Sequence, residues 1–233
     1  MRALVLVLAV ALGPTPSKAA PATATLPGRT LSVPIAGLNV PVPVTGDVRY
    51  QVRDDRAIFD GRVAADLARF QDRAPALLSA LFDQKQACGE QLSVRKGQFG
   101  ARGEALLVNA TVAYGRNTCI AGREVSILPR ALYELEMLLR PVIGARSLRF
   151  QAEVVALRKQ NGELPAVLLE PVRQFLGTLV SQRIGELFPA GSIPPDVTLK
   201  SLDFNQKSGR LMAQVEVEGS VPRSAFERLL EKR

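Results

Sequence analysis

The sequence contains no histidine and no tryptophan, and only two of its 233 residues are cysteine. The lack of histidine excludes Ser–His–Asp and Cys–His catalysis, zinc bound through imidazole, and acid–base chemistry by an imidazole group. Two cysteines are also too few for a zinc site built from four thiolates. We therefore expect a protein that is not an enzyme and that needs no metal and no cofactor. A hydrolase is the third-ranked alternative, and it would need a Ser–Lys pair such as Ser93 and Lys96, or paired carboxylates.

The N-terminus has the pattern of an export signal. Arg2 is followed by an unbroken apolar run over residues 3–12, which is too short to span a bilayer, and small residues suited to cleavage come next. We therefore assign residues 1–22 to a signal peptide, with a buried N-terminal strand as the alternative. No cysteine lies near the cleavage region, so we expect a periplasmic or secreted protein rather than a lipoprotein.

Export would place Cys88 and Cys119 in an oxidising compartment, where an even pair normally forms a disulfide. Gly100 and Gly103 predict a hairpin turn between the two cysteines, and antiparallel pairing would bring the cysteines near each other. A redox-active pair is the alternative, but the Cys-x-x-Cys spacing of such pairs is absent. We therefore expect a structural disulfide.

Composition and periodicity divide the rest of the chain into three parts. Residues 23–46 are rich in proline and predict an extended segment, and ordered structure is expected to begin near Asp47. Residues 47–221 predict a single domain, and residues 222–233 predict a short basic helix.

Within the predicted domain, the order hairpin–helix–hairpin occurs twice. Apolar residues at helical spacing predict helices over 73–87 and 164–188, with Asp72 as the N-cap of the first helix. Residues 56–70 fit a strand or a helix, and we favour the strand because it completes a hairpin with the segment before it. A closing hairpin is predicted to turn at residues 207–209.

Long antiparallel strands combined with two apolar helices predict an α+β fold. In that fold, one long and strongly curved antiparallel sheet wraps around the two amphipathic helices. The polar positions that alternate with the apolar ones along each strand would face the solvent.

Two segments carry a resemblance to a known family. They are the wide-faced helix LPAVLLEPVRQFLGTLVSQRIGELF and the closing hairpin PDVTLKSLDFNQKSGRLMAQVEVEG. With the first helix and the hairpins between, they resemble the tubular lipid-binding (TULIP) superfamily, especially its small bacterial envelope members, over about residues 73–218. The departures are the missing lipoprotein cysteine, the cysteine pair and the hairpin at 47–69. The resemblance implies a half-pipe whose apolar side chains hold a lipid.

The residues themselves are consistent with an apolar ligand site, because such a site needs carbon-rich side chains and no unpaired polar group. The candidates are the inward-facing positions of the strands and the apolar face of the long helix: Val108, Val112, Phe150, Val154, Val215 and Val217, with Leu168, Val172, Phe175 and Leu179. The alternative is that these side chains fill an ordinary core. In that case the domain would be an envelope module that docks a partner protein.

The formal net charge of +8 bears on the partners. The basic residues are scattered and the aromatic residues are few, so nothing predicts binding to nucleic acid. For an exported protein, we expect a lipid or hydrophobic small molecule as the ligand and an anionic membrane surface as a second partner. The alternative for the charge is a solvated basic surface with no partner of its own.

Overall fold

Strands make up most of the chain in the computed structural model, which describes residues 22–35, 37–85, 88–187 and 193–224. In these residues the elements follow in the order β1 (Ala22–Ile35), β2 (Leu38–Arg53), β3 (Arg56–Asp66), α1 (Ala68–Asp72), α2 (Ala74–Phe82), β4 (Gln84–Lys85), β5 (Gly89–Arg102), β6 (Ala105–Ile120), β7 (Arg123–Gly144), β8 (Ser147–Lys159), α3 (Ala166–Leu187), β9 (Val197–Lys207) and β10 (Arg210–Pro222). The predicted signal peptide, up to residue 21, and most of the predicted C-terminal helix lie outside the described residues.

The strands form two antiparallel sheets of five strands each. The first sheet has the order β1–β2–β3–β10–β9, and the second has the order β4–β5–β6–β7–β8. In the first sheet, β3 pairs with β10 although the two strands are far apart in the sequence, and Val63 lies opposite Val215. The two sheets meet where β9 packs against β5, β6 and β7 and the backbone N–H of Phe204 donates to the carbonyl of Glu104 at 3.2 Å.

The predicted α+β fold, in which one long curved sheet wraps around two helices, is wrong. The protein is mostly β, its sheets are separate, and the helices are few. The prediction failed because period-two alternation shows that a strand has an apolar face but not which strand lies beside it. The first sheet joins hairpins from opposite ends of the chain, and no local pattern encodes that pairing.

Several predicted elements are confirmed. Residues 56–66 of the segment 56–70 form the favoured strand, whereas residues 68–70 belong to the helix α1. The long helix runs over Ala166–Leu187, and the closing hairpin turns at Ser208 and Gly209. The helix predicted over 73–87 is shorter, because it ends at Phe82.

Asp72 does not cap that helix, because it is the last residue of α1. The helix α2 has Arg73 at its N-cap and no side-chain hydrogen bond there.

The proline-rich segment is more ordered than predicted. It contains β1 and the first part of β2, in which Val40, Val42 and Val44 are buried and alternate with two prolines. Pairing of β2 with β3 begins only at Val44. Pro41 and Pro43 therefore lie where β2 has a single neighbour, and there a missing N–H is tolerated.

The two longer helices pack on the second sheet. α2 lies against β5, where a side chain at Gly97 would overlap Leu78, so glycine allows the close approach. α3 lies against β8, and the Ser181 hydroxyl accepts a hydrogen bond from the backbone N–H of Ala152 at 3.0 Å. Both helices are thereby held at fixed positions beside the core. None of the helices in the described ranges is long and apolar enough to cross a membrane.

The predicted disulfide is confirmed. Cys88 and Cys119 are bonded, with their Cα atoms 5.4 Å apart. The bond links the residue before β5 to the end of β6, and both cysteines are exposed.

Candidate functional site

An apolar cavity of about 290 Å³ lies between the two sheets and the helices. Each residue that lines it has a hydrocarbon side chain, apart from the thioether of Met137. The lining comes from both sheets and from all three helices, and it includes Val42, Val63, Leu77, Leu92, Val108, Val112, Met137, Leu176, Val180 and Val215. A cavity with this lining offers a ligand apolar contact but no hydrogen bond from a lining side chain.

Buried polar side chains are rare in this protein's described residues. Ser93 is the one fully buried polar residue in the described ranges, and its hydroxyl accepts a hydrogen bond from Arg130 Nη2 at 2.5 Å. Ser93 lies within β5 rather than at the start of a helix, where a Ser–Lys catalytic pair needs its serine. Lys96 is exposed on the same strand.

Five of the ten predicted lining residues contribute to the cavity. They are Val108, Val112, Phe150, Val215 and Val217. The other five lie outside its lining. Val172 and Leu179 are buried in the core, Val154 and Phe175 pack against the core, and Leu168 is half-buried near the start of α3. Contact of any of them with a ligand stays a prediction.

The orientation of α3 explains why its four predicted residues are not in the lining. The stripe that faces the cavity has the spacing of one helical face and consists of Leu176, Val180, Ile184 and Leu187. The neighbouring stripe faces the second sheet, where Phe175 stacks on Tyr114 with ring centroids 5.7 Å apart. Because α3 is apolar around more than half of its circumference, its sequence does not indicate which stripe faces the cavity.

Sequence reasoning missed the lining from the first two strands. Leu31, Val33 and Ile35 of β1 and Val42 and Val44 of β2 all line the cavity. Each set alternates with polar residues or prolines, which is the same pattern that identified the other strands. The proline content of the segment concealed that pattern.

The cavity approaches the surface beside the β1–β2 turn. Pro34 lines the cavity and is also exposed, and its neighbours Val33 and Ile35 are half-buried on the edge strand of the first sheet. Edge strands have one paired side, so they separate from a sheet more easily than central strands do. This end of the cavity is therefore the part that can open to solvent most easily.

Arg173 lies on α3 one turn before Leu176, in line with the cavity-facing stripe. Its Nε is the one buried side-chain polar atom without a hydrogen-bond partner among the described residues. The residue as a whole is half-buried. Arg173 is therefore the point on α3 at which the apolar, cavity-facing stripe ends.

A polar cluster lies beside the stripe of α3 that faces the second sheet. The Tyr114 hydroxyl donates to the Glu90 carboxylate, and Arg116 Nε lies 3.2 Å from the same carboxylate. Burial, followed by the hydrogen bond to Glu90, raises the pKa of Tyr114 well above its usual range. The phenol therefore stays protonated to higher pH than a solvent-exposed tyrosine, and it packs against Phe175 and Tyr133.

The described part of the chain contains no group of three or more carboxylate or thiol side chains that could hold a metal ion. No protein-family model matches the chain, and no curated protein matches it in sequence. The case for function therefore depends on the cavity and the surface.

Proposed function

We propose that this protein is a non-catalytic binding protein that holds a lipid chain or another apolar molecule in its cavity. The observation that carries the proposal is an interior volume of about 290 Å³ whose lining side chains are all apolar. Ligand sites are typically concave and mostly apolar, and they occupy roughly 300–1,000 Å³. The proposed setting is the bacterial envelope, because the disulfide favours an oxidising compartment.

The presence of the cavity argues against an interaction module with a filled core. Leaving a cavity of this size empty would also be costly. Protein interiors are close-packed, and voids larger than a water molecule are few. At about 24 cal/mol per Å³, a permanently empty 290 Å³ cavity would cost about 7 kcal/mol. That cost is comparable to the entire net stability of many domains, which is roughly 5–15 kcal/mol. An apolar occupant would recover much of it.

The volume also limits the ligand. If a methylene group occupies about as much space as a water molecule, ~30 Å³, the cavity holds roughly ten methylene groups. This corresponds to a single acyl chain or a molecule of similar size. A whole diacyl lipid would have to leave part of its length outside.

Two neighbouring alanines of β3 provide the test. The Ala65 side chain lines the cavity, whereas Ala64 points to the opposite face of the same strand. Phenylalanine at position 65 is expected to fill part of the cavity, and phenylalanine at position 64 is not. Binding is measured by the fluorescence of 1-aminoanthracene, an uncharged apolar probe, with thermal unfolding as the check on folding.

The wild-type protein and the Ala64→Phe variant are expected to bind the probe. The Ala65→Phe variant is expected to bind it at least about tenfold more weakly, because a single misfitting group in an apolar pocket changes the binding free energy by about 1–3 kcal/mol. Equal binding by two folded variants would place the probe elsewhere. No binding by the wild-type protein after delipidation would reject the proposed function.

A further inference from the structure

The β6–β7 hairpin extends beyond the other strands of the second sheet. Pairing of β5 with β6 begins at Gly89 and Asn117, and pairing of β8 with β7 begins at Lys159 and Tyr133. We term residues 117–128 the ribbon, and residues 118–125 within it are two-stranded in the part of the chain that the structure describes. An isolated two-stranded hairpin is marginally stable, but the Cys88–Cys119 bond ties this one to the base of β5.

One face of the ribbon is apolar and exposed. Ile120 pairs with Arg123, and Val125 follows two residues later in β7, so these three side chains share a face. Ile127 lies next to them as the extra residue of a β-bulge, since Asn117 pairs with Ser126 and Arg116 with Leu128. The exposed fractions of Ile120, Val125 and Ile127 are 61%, 42% and 57%, which are high for aliphatic side chains. The disulfide and Glu124 lie on the other face, where Glu124 accepts a hydrogen bond from Asn117 at 3.2 Å.

We propose that the ribbon docks on the surface of an anionic lipid membrane, with its three aliphatic side chains in the headgroup–acyl boundary. Exposed apolar clusters mark interaction sites, and the charge pattern selects the partner. Arg123 lies on the apolar face and Glu124 on the opposite one, so the face presents aliphatic groups beside a cation. The whole chain carries a formal net charge of +8. Both features suit anionic headgroups.

The proposal goes beyond ligand binding and does not depend on it. The ribbon residues do not line the cavity, so a protein with an altered ribbon is expected to bind 1-aminoanthracene as the wild-type protein does. Membrane docking and cavity binding can therefore fail separately. The ribbon also lies apart from the exposed end of the cavity, since Pro34 belongs to β1 of the first sheet and the ribbon to β6 and β7 of the second.

The test is co-sedimentation of the full protein with vesicles of phosphatidylcholine alone or mixed with phosphatidylglycerol. The ribbon variant combines Ile120→Ser, Val125→Ser and Ile127→Ser. The matched control combines Ile58→Ser, Val142→Ser and Val167→Ser, which removes the same kind of side chain from exposed positions elsewhere, where the exposed fractions are 45%, 47% and 80%. An Arg123→Glu variant tests the charge.

The wild-type protein and the matched control are expected to bind the anionic vesicles and to lose binding as salt rises. The ribbon variant is expected to bind roughly 10- to 100-fold more weakly, and Arg123→Glu about tenfold more weakly. Equal binding to neutral vesicles, no vesicle binding, or equal losses in the ribbon variant and the control would each overturn the proposal. Self-association in solution that the ribbon substitutions abolish would overturn it too, because the face would then be a contact between copies.

Discussion

Replacing both cysteines with serine is expected to lower the free energy of unfolding by about 3–4 kcal/mol. The bond joins residues separated by 31 positions, and the chain-entropy model assigns that value to a loop of this length at 25 °C. Cys88 and Cys119 are exposed, so the substitution removes little packing. Equilibrium unfolding in urea measures the effect, and a slope of about 2 kcal/mol/M turns it into a midpoint shift of roughly 1.5–2 M.

The reduced wild-type protein is the control for this prediction. It keeps both thiols but loses the cross-link, so its unfolding curve is expected to coincide with that of the double serine variant. Hydrogen exchange adds a local readout, because residues 117–128 are expected to exchange faster once the ribbon is no longer tied to β5. A change below about 1 kcal/mol in both forms would refute the reasoning that the bond restricts the unfolded chain.

The other predictions concern packing, protonation and an unpaired cation. Gly46→Ala is expected to lower the free energy of unfolding in urea by about 2–4 kcal/mol, because the added Cβ would overlap the Arg62 carbonyl. Gly185→Ala is the control, and it is expected to be neutral or to stabilise α3 by up to about 1 kcal/mol. Similar costs for the two substitutions would contradict this contrast. Because the folded pKa of Tyr114 is raised, its stabilising contribution is complete below the unfolded value near 10 and is lost as pH rises towards the folded one. Tyr114→Phe is therefore expected to flatten the fall of unfolding free energy above pH 10, and an unchanged slope would count against it. Arg173→Met is expected to leave the unfolding free energy unchanged or raise it by about 1 kcal/mol, since it removes a buried nitrogen without a partner; a loss above about 1.5 kcal/mol would indicate a missed interaction.

Local elements could be predicted from the sequence because short-range chemistry determines them. The closing hairpin is one example, since Ser208 and Gly209 both adopt positive φ at its two-residue turn and flank alternating apolar positions. Val215 and Val217 were placed on the inward face for that reason, and they line the cavity. The cysteine pair followed from the same kind of argument about an antiparallel hairpin.

The arrangement of these elements could not be predicted in the same way. The pairing of β3 with β10 joins segments separated by about 150 residues, and alternation alone does not encode it. The direction in which α3 faces depends on what covers it, so Leu176 and Val180 line the cavity although Phe175 and Leu179 fit the helical pattern equally well. In both cases, contacts between distant parts of the chain determine the arrangement.

Titration of the delipidated protein with saturated fatty alcohols of six to sixteen carbons tests the central claim most directly. Isothermal calorimetry is expected to show one chain bound per protein, with affinity that rises with length and levels off near ten carbons, because the cavity volume of about 290 Å³ is then filled. A folded protein that binds none of these alcohols would contradict the claim. Affinity that keeps increasing at the same rate to sixteen carbons would also contradict it, since the chain would then be bound on an open surface rather than in the cavity.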